Sequence, residues 1–119
     1  MENTIILLGH GSRAGCDMPE VAEMVSEMGS IPVRYACLQF CRHDLPSAVD
    51  EAAKNGAKRV IIIPYFLHLG NHMIQDIPAE VDDLRGRHPG VKIELAGHLG
   101  VHPKLAEVVL QRIKEAQGK

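Results

Sequence analysis

Two segments that carry histidines each follow a run of residues typical of a buried β-strand. The run Thr4–Leu8 is followed by His10 between two glycines, and the run Val60–Pro64 is followed by a segment that contains His68 and His72. Imidazole has a reference pKa of about 6.5, so at neutral pH it can ligate a divalent metal ion or accept a proton. The two segments therefore predict a site for metal binding or proton transfer.

The strand-like runs alternate along the chain with segments whose apolar residues recur at helical spacing. This alternation predicts an α/β fold in which parallel strands are joined by right-handed crossovers. The expected architecture is one domain over residues 1–119, with a four-stranded sheet in the order 2-1-3-4 and helices on both faces.

The expected strands are Thr4–Leu8, Val33–Leu38, Arg59–Ile63 and Val91–Leu95. The expected helices are Met18–Met28, a second that begins after Asp44 and ends at Asn55-Gly56, a third with Asp76 as its N-cap and Pro78 in its first turn, and a fourth from Pro103 to about Ala116. The first helix is expected to carry an apolar stripe of Val21, Met24, Val25 and Met28.

This strand order also predicts where a ligand binds. Open parallel sheets bind ligands beyond the carboxyl ends of their strands, at the point where the strand order reverses. That point lies here between strands one and three. Because His10 follows strand one, and His68 and His72 follow strand three, both loops should flank one crevice.

Composition narrows the classes of function. The chain has 119 residues, of which 45% are hydrophobic and 24% charged, and a net charge of −2 at pH 7. This charge gives no support for binding to nucleic acid or a membrane surface, and no apolar run approaches the roughly 20 residues that span a bilayer. A cytoplasmic location is expected. Cys16, Cys37 and Cys41 are odd in number and lack CxxC spacing, which predicts neither a disulfide framework nor a zinc site.

The segment after the third strand is unusually apolar for a loop. It carries Tyr65, Phe66, Leu67 and Leu69, where solvent normally favours polar side chains. Two interpretations stay open. These residues form the wall of a site for a flat apolar ligand, or they only seal the edge of the sheet.

Three motifs together resemble the small sirohydrochlorin cobaltochelatases of the class II chelatase family: LLGHGSR, PYFLHLGNHMIQDIP and LGVHPKLAEVVLQRI. The resemblance runs over nearly the whole chain, with the three motifs in the family's order and spacing. The resemblance implies a flavodoxin-like, three-layer chelatase domain. It also implies a metal-inserting lyase that pairs as a homodimer and takes sirohydrochlorin as its substrate. His10 and His72 match the family's two metal-handling histidines.

The chemistry of metal insertion suits these residues. The reaction removes two pyrrole N–H protons while a divalent ion is held over the macrocycle. Two neutral imidazoles can ligate Co²⁺, Fe²⁺ or Ni²⁺ without the closed Cys/His set that would retain the ion. The metal is then a substrate, and no permanently bound cofactor is expected. The expected substrate-binding residues are Arg13, Ser12, Gln39, Tyr65, Phe66, Leu67, His68, Leu69 and Gly70.

One position departs from the family pattern. Where the family commonly has a glutamate in a Met-Glu-Phe-like stretch, this chain has Leu38-Gln39-Phe40. A neutral amide neither accepts a proton nor acts as an anionic ligand, which puts a third catalytic role in doubt. Whether Gln39 itself, His43 or His68 takes over that role stays open.

Two other functions remain as alternatives. A metal or tetrapyrrole carrier would use the same histidines without turnover, and the missing glutamate favours it. Phosphoryl transfer through a phosphohistidine at His10 would need an arginine beside the histidine and further basic residues. Gly9 precedes His10 and the second loop is apolar, which disfavours phosphoryl transfer.

Overall fold

The structure is a computed structural model that describes residues 3–12, 17–39 and 41–118. A four-stranded parallel sheet has the strand order β2-β1-β3-β4. Its strands are β1 (Asn3–Gly9), β2 (Val33–Cys37), β3 (Arg59–Pro64) and β4 (Lys92–Leu95), and the helices are α1 (Met18–Gly29), α2 (Leu45–Lys54), α3 (Asn71–Arg87) and α4 (Pro103–Gln117). The predicted fold class and strand order are confirmed. Apart from the start of α3, the predicted bounds hold to within one residue.

The sheet face that carries α2 and α3 is closely packed. Alternate residues of the central strands, such as Ile6, Leu8 and Ile62, point to this face and are completely buried. They pack against the apolar sides of α2 and α3, which include Leu45, Val49, Val81 and Leu84. Asp44 caps α2 as predicted, with its side chain accepting a hydrogen bond from the Ser47 amide at 2.8 Å. Hydrogen bonding to Ser47 also lowers the pKa of the Asp44 carboxyl.

The opposite face is covered less completely. Its buried cluster consists of Leu7, Met18 and Ala22, so α1 contacts the sheet through residues spaced one helical turn apart. The predicted apolar stripe of α1 is only partly covered: Val21 packs beside this cluster, whereas Met24 and Met28 have 59% and 85% of their surface exposed. Helical spacing shows that residues share a side of a helix, but it does not show that this side meets the sheet.

The third helix begins earlier than predicted. Gly70 is its N-cap, and the helix continues through Pro78, so the predictions that Asp76 is the N-cap and that Pro78 lies in the first turn are wrong. Pro78 is exposed, whereas Ile77, Val81 and Leu84 are buried. An interior proline costs about 3 kcal/mol, but burying each large aliphatic side chain contributes about 1.5–3 kcal/mol. Packing of the buried side therefore outweighs the interruption.

The last helix stands apart from the rest of the fold. No residue of α4 is buried, and only Leu105 is partly so. The Cα radius of gyration is 15.6 Å and the longest axis is 53 Å, against 34 Å for the next. A compact domain of this length has a radius of gyration of about 13.5 Å, so α4 extends from the body of the molecule.

The prediction of no disulfide is wrong. Cys37 and Cys41 form a disulfide, with Cα atoms 6.0 Å apart. The chain turns back directly after β2, where the Cys37 amide donates to the His43 carbonyl at 2.8 Å. This turn brings the two side chains together without CxxC spacing.

Within the described ranges, no helix combines the length and the apolar character that crossing a bilayer requires.

Candidate functional site

The loops after β1, β2 and β3 meet at the carboxyl edge of the sheet. The Leu38 amide donates to the Gly9 carbonyl at 3.0 Å, and the Tyr65 amide donates to the Leu8 carbonyl at 2.8 Å. These bonds continue the pairing of β1 with both of its neighbours. His10, the first residue after β1, therefore lies between the other two loops.

The imidazole of His10 is exposed, yet residues from all three loops orient it. Its Nδ1 lies 2.9 Å from the Gly11 carbonyl oxygen and 3.3 Å from the Gln39 side-chain nitrogen. The ring packs edge-on against Phe66, with the ring centroids 6.4 Å apart. A carbonyl oxygen only accepts hydrogen bonds, so Nδ1 carries the hydrogen and Nε2 keeps its lone pair. That lone pair is available to a metal ion or a proton.

The backbone fixes this segment against the loop after β2. Gly11 has a φ of 81°, which glycine adopts without strain. A side chain at Gly11 would collide with the Gln39 carbonyl oxygen. The Gln39 amide also donates to the His10 carbonyl at 3.2 Å. Gln39, which the family motif singles out, thus contacts the His10 segment through both its main chain and its side chain.

A cavity of about 360 Å³ opens beside His10. Its other lining residues are Gly9, Gly11, Ser12, Asp17, Met18 and Tyr65. Two predicted substrate-binding residues, Ser12 and Tyr65, therefore lie at the same cavity as His10. Arg13 lies outside the described residues, and its role stays a prediction.

The apolar segment after β3 has inward and outward residues. Phe66 and Leu69 are partly buried and pack against the core, whereas Leu67 is 66% exposed and His68 is exposed. The segment therefore seals part of the sheet edge, and it also leaves apolar surface at the carboxyl edge. Gly70 ends the segment as the N-cap of α3.

His72 lies in the first turn of α3, and its side chain is exposed. Within the described residues, it has none of the ring contacts that orient His10. Among residues 3–12, 17–39 and 41–118, no three or more histidine, cysteine or acidic side chains lie close enough together to hold a metal. His10, His68 and His72 therefore form no closed three-ligand site within one chain.

Two carboxylates follow His72 on α3 at four-residue spacing, which places Asp76 and Glu80 on its side of the helix. They line a cavity of about 240 Å³ whose other walls are apolar and include Leu8 and Met73. Their position beside His72 could not be predicted with Asp76 as the start of α3, because His72 then lies outside the helix. With the helix begun at Asn71, the spacing from His72 would have revealed them.

The environment of Glu80 differs from that of an ordinary surface carboxylate. Partial burial raises the pKa of Glu80, and the negative charges of Asp44 and Asp83 raise it further. The part of α3 around Glu80 therefore has apolar neighbours on one side and negative charges close by.

A larger cavity, of about 400 Å³, lies between α1, β2 and α2. It is lined by residues that include Pro19, Ala22, Glu23, Tyr35 and His43. Of the residues considered for the site, only His43, a candidate for the role of the missing glutamate, lines it. Volume alone therefore does not mark the site, and the oriented imidazole at the carboxyl edge favours the cavity at His10.

Known proteins match the chain over almost its whole length. The model of the CbiX family matches residues 4–116. The sirohydrochlorin cobaltochelatase of Methanopyrus kandleri is 33% identical over 139 aligned residues, and the match covers 97% of both chains. The sirohydrochlorin ferrochelatase of Bacillus subtilis is 26% identical, and the match covers 97% of this chain and 46% of that one.

Solved structures agree in fold. A protein of Marinobacter aquaeolei assigned as a cobalamin biosynthesis CbiX protein has a TM-score of 0.81 and 31% identity, with 98% of both chains covered. SirB from Bacillus subtilis with Fe³⁺ has a TM-score of 0.85 and 26% identity, and the match covers 98% of this chain but 48% of SirB. The chain thus spans the full length of some relatives and about half the length of others. It belongs to the CbiX family.

Proposed function

We propose that this chain is a sirohydrochlorin chelatase, a lyase that inserts a divalent metal into sirohydrochlorin in tetrapyrrole biosynthesis of the cobalamin or siroheme type. Co²⁺ is the first candidate metal, and Fe²⁺ and Ni²⁺ are the others. The observation that carries the proposal is the oriented imidazole of His10 at the carboxyl edge of the sheet. The cobaltochelatase and ferrochelatase relatives support the same reaction class.

His10 has the geometry of a ligand and proton acceptor. Its Nδ1 hydrogen is held by the Gly11 carbonyl, which leaves Nε2 to meet the metal or a pyrrole proton. The macrocycle loses two protons as it gains a doubly charged ion, so its charge is unchanged by the exchange. His72 takes the second metal-handling role, from the first turn of α3.

The Gln39 side chain positions the His10 ring. An amide group presents its oxygen or its nitrogen after a flip about its last bond. With its oxygen toward the ring, the Gln39 amide and the Gly11 carbonyl both accept a hydrogen bond from the Nδ1 hydrogen of His10. These two bonds stabilise the imidazolium that forms when His10 takes a proton. An amide does this less strongly than the carboxylate common in the family, because it carries no charge.

The remaining predicted residues surround the macrocycle in this proposal. Ser12 and Tyr65 flank His10 at its cavity, and Phe66, Leu67, His68, Leu69 and Gly70 form the adjoining surface. Arg13 binds a carboxylate of the octa-anionic substrate through its forked guanidinium. The metal is a substrate, and the chain needs no resident cofactor.

Two copies of the chain complete the site. The cavity at His10 is open at the carboxyl edge, whereas ligand sites usually enclose most of a ligand. A homodimer in which two carboxyl edges face each other supplies a second wall, and two-fold pairing is the commonest assembly. Composition favours the cytoplasm as the location of this enzyme.

A carrier of metal or tetrapyrrole is the second candidate. It is favoured by Gln39 in place of the carboxylate common in the family, because a neutral amide does not accept a proton. Phosphoryl transfer has less support, because the described lining of the His10 cavity contains no lysine or arginine.

Anaerobic incubation with Co²⁺ and sirohydrochlorin, each in large molar excess over the chain, separates enzyme from carrier. Absorbance measures the cobalt product, with a protein-free sample as the control. A chelatase forms many equivalents of product per chain, faster than the protein-free sample. Binding that saturates near one equivalent, with no rate above the control, would contradict the enzyme and support the carrier.

A further inference from the structure

The disulfide lies in the loop that positions His10. Cys37 is the last residue of β2, and Cys41 follows it at a sequence separation of 4. Gln39 is the middle residue of the loop that the disulfide closes. Its main-chain amide donates to the His10 carbonyl at 3.2 Å, and its side-chain nitrogen lies 3.3 Å from Nδ1 of the His10 ring. The disulfide therefore closes the loop whose central residue orients the imidazole.

The buried half of the disulfide also packs against the segment that carries His10. Cys37 has 1% of its surface exposed. A Cβ atom placed on Gly11 would lie 3.1 Å from the Cβ of Cys37, so the disulfide lies close to Gly11. The carbonyl oxygen of Gly11 lies 2.9 Å from Nδ1 of His10. The cysteine pair is thus connected to the His10 ring through both Gln39 and Gly11.

Stabilisation of the fold does not account for this disulfide. The stability that a disulfide contributes falls as the loop it closes becomes shorter, and this loop is very short. The bond joins the end of β2 to the loop before α2, and it connects no second helix or strand. In the cytoplasm, where we place this chain, disulfides are usually catalytic or redox-sensing. The position of the pair beside His10 therefore favours a redox role.

We propose that Cys37 and Cys41 form a redox-active pair. Its disulfide holds Gln39 against His10, and reduction of the pair by a dithiol releases Gln39. The active form of the site is the oxidised one. The effect on metal insertion rests on the proposed function, whereas the effect on the His10 ring does not.

The two sulfur atoms differ in their access to solvent. Cys41 is partly exposed, whereas Cys37 is buried, so the Cys41 sulfur is the one open to attack. A thiolate of the dithiol bonds to the Cys41 sulfur, the bond between the two cysteines breaks, and Cys37 leaves as a thiolate that takes a proton. The second thiol of the dithiol then displaces Cys41. Two electrons pass to the pair, and the dithiol becomes a cyclic disulfide.

Reduction leaves Gln39 with weaker restraints. Its side chain is exposed, and an exposed hydrogen bond contributes little net stability because water competes for both partners. Without the disulfide, the loop gains conformations that the closed loop excludes. The Gln39 side chain then leaves Nδ1 for a larger fraction of the time, and the His10 ring loses part of its orientation.

Thiol counting tests whether the pair is redox-active. In a Cys16→Ser chain, Cys37 and Cys41 are the remaining cysteines. The folded chain is equilibrated anaerobically with mixtures of reduced and oxidised dithiothreitol, quenched with acid, alkylated in denaturant and weighed by mass spectrometry. We expect a single reversible two-electron transition, whereas a chain that also carries Cys41→Ser adds one alkyl group in every mixture. A pair that stays oxidised until the chain unfolds, or that does not form again from the reduced chain, would overturn the proposal.

Nuclear magnetic resonance of ¹⁵N-labelled histidine tests the link to His10 without any substrate. On reduction, the ring nitrogens of His10 should shift toward values averaged over both tautomers, because Nδ1 is then less firmly held. The signals of His88, which pairs with Asp50 at 2.7 Å, should not move. In Cys41→Ser the His10 signals should match those of the reduced chain and ignore the dithiol. Identical His10 signals in both redox states would overturn the proposal.

Insertion rates test whether the disulfide acts through Gln39. After the dithiol has been removed by anaerobic gel filtration, the reduced chain should insert Co²⁺ about three- to tenfold more slowly than the oxidised chain. Gln39→Ala should be slow in both states, with no further loss on reduction. An equal loss on reduction in Gln39→Ala would show that the free thiols act directly, for example by binding Co²⁺, and would overturn the role of Gln39.

Failure of this proposal and failure of the proposed function give different results. A chain whose His10 signals respond to reduction but which inserts no metal in either state would contradict the chelatase and leave the redox-active pair standing. A chain that inserts metal equally fast in both states, with unchanged His10 signals, would overturn the redox-active pair and leave the chelatase standing.

Discussion

The loop after β1 and the start of α3 both present a histidine, but they hold it differently. His10 is oriented by the Gly11 carbonyl, the Gln39 side chain and the Phe66 ring. His72 stands exposed in a helical first turn, and the carboxylates that follow it on α3 become progressively enclosed by apolar side chains.

This difference indicates a division of roles. An imidazole with a fixed hydrogen on Nδ1 presents a defined lone pair, which suits the proton transfer and the final delivery of the metal. An imidazole positioned only by its helix can turn toward an incoming ion. Substitutions near His10 should therefore change the chemistry of insertion, whereas those on α3 should change metal capture or stability.

The largest effect is expected at His10. His10→Ala removes the oriented lone pair and should lower the rate of Co²⁺ insertion by about 10³-fold, within the range typical of a general base. His98→Ala, which removes an exposed histidine of another loop, is the control and should retain the wild-type rate. If folded His10→Ala inserts Co²⁺ at a rate close to that of the wild type, His10 is neither the metal ligand nor the proton acceptor. Circular dichroism establishes the fold.

His72→Ala should lower the insertion rate by about 10²-fold, because the second ligand or proton acceptor is lost.

His68→Ala should lower the insertion rate by less than about tenfold, since His68 lies on exposed apolar surface. The loss should differ between Co²⁺, Fe²⁺ and Ni²⁺. The rates are measured as a function of metal concentration. Equal losses in the His10, His72 and His68 variants would indicate a three-histidine site. That result would contradict the division of roles between His10 and His72.

Gln39→Glu should alter the pH dependence more than the maximal rate. A carboxylate beside the Nδ1 hydrogen stabilises the imidazolium, so the acid limb of the pH–rate profile should move by about one unit to higher pH. Gln111→Glu, on the exposed side of α4, adds the same charge elsewhere and should leave the profile unchanged. An unshifted profile in Gln39→Glu would show that the side-chain contact with His10 has no influence on proton transfer.

The smallest effect is expected at Glu80, which lies partly buried in the middle of α3. The pKa of Glu80 is raised in the fold by burial and by neighbouring negative charge. The stability linked to its protonation is therefore present at low pH and lost as pH rises through the folded-state pKa. Glu80→Gln stays neutral and should raise Tm at pH 7 by roughly 2 °C.

The stability gain from Glu80→Gln should vanish near pH 4, where the wild-type carboxyl is protonated as well. Glu27→Gln, near the exposed end of α1, is the matched control and should leave Tm unchanged at both pH values. A lower Tm for Glu80→Gln at pH 7 would contradict the direction of the shift.

The sequence predicted the sheet well because each buried parallel strand is a short continuous run of apolar residues, as in Ile5 to Leu8 and Val60 to Ile63. It also placed His10, Ser12 and Tyr65 at one edge, since strand order alone brings those loops together. The start of α3 was missed because a proline usually marks a first turn. In this chain, burial of Ile77, Val81 and Leu84 overrides that local signal.

Other features depended on contacts that no local pattern encodes. The side of α1 that meets the sheet is decided by Met18 and Ala22 rather than by the longest apolar stripe. The Cys37–Cys41 pair depends on the turn after β2. The contact between Gln39 and His10 joins residues 29 positions apart, and only the pairing of β1 with β2 brings them together.

The most direct test of neutral imidazole as the inserting group is the rate of Co²⁺ insertion between pH 8 and pH 5, corrected at each pH for the protein-free rate. Protonated imidazole can neither ligate nor accept a proton, so the wild-type rate should fall steeply below about pH 6. The residual rate of His10→Ala should fall less steeply, because His72 is then the one imidazole of the pair that remains. A wild-type rate that stays level down to pH 5, with the fold intact by circular dichroism, would contradict histidine as ligand and base.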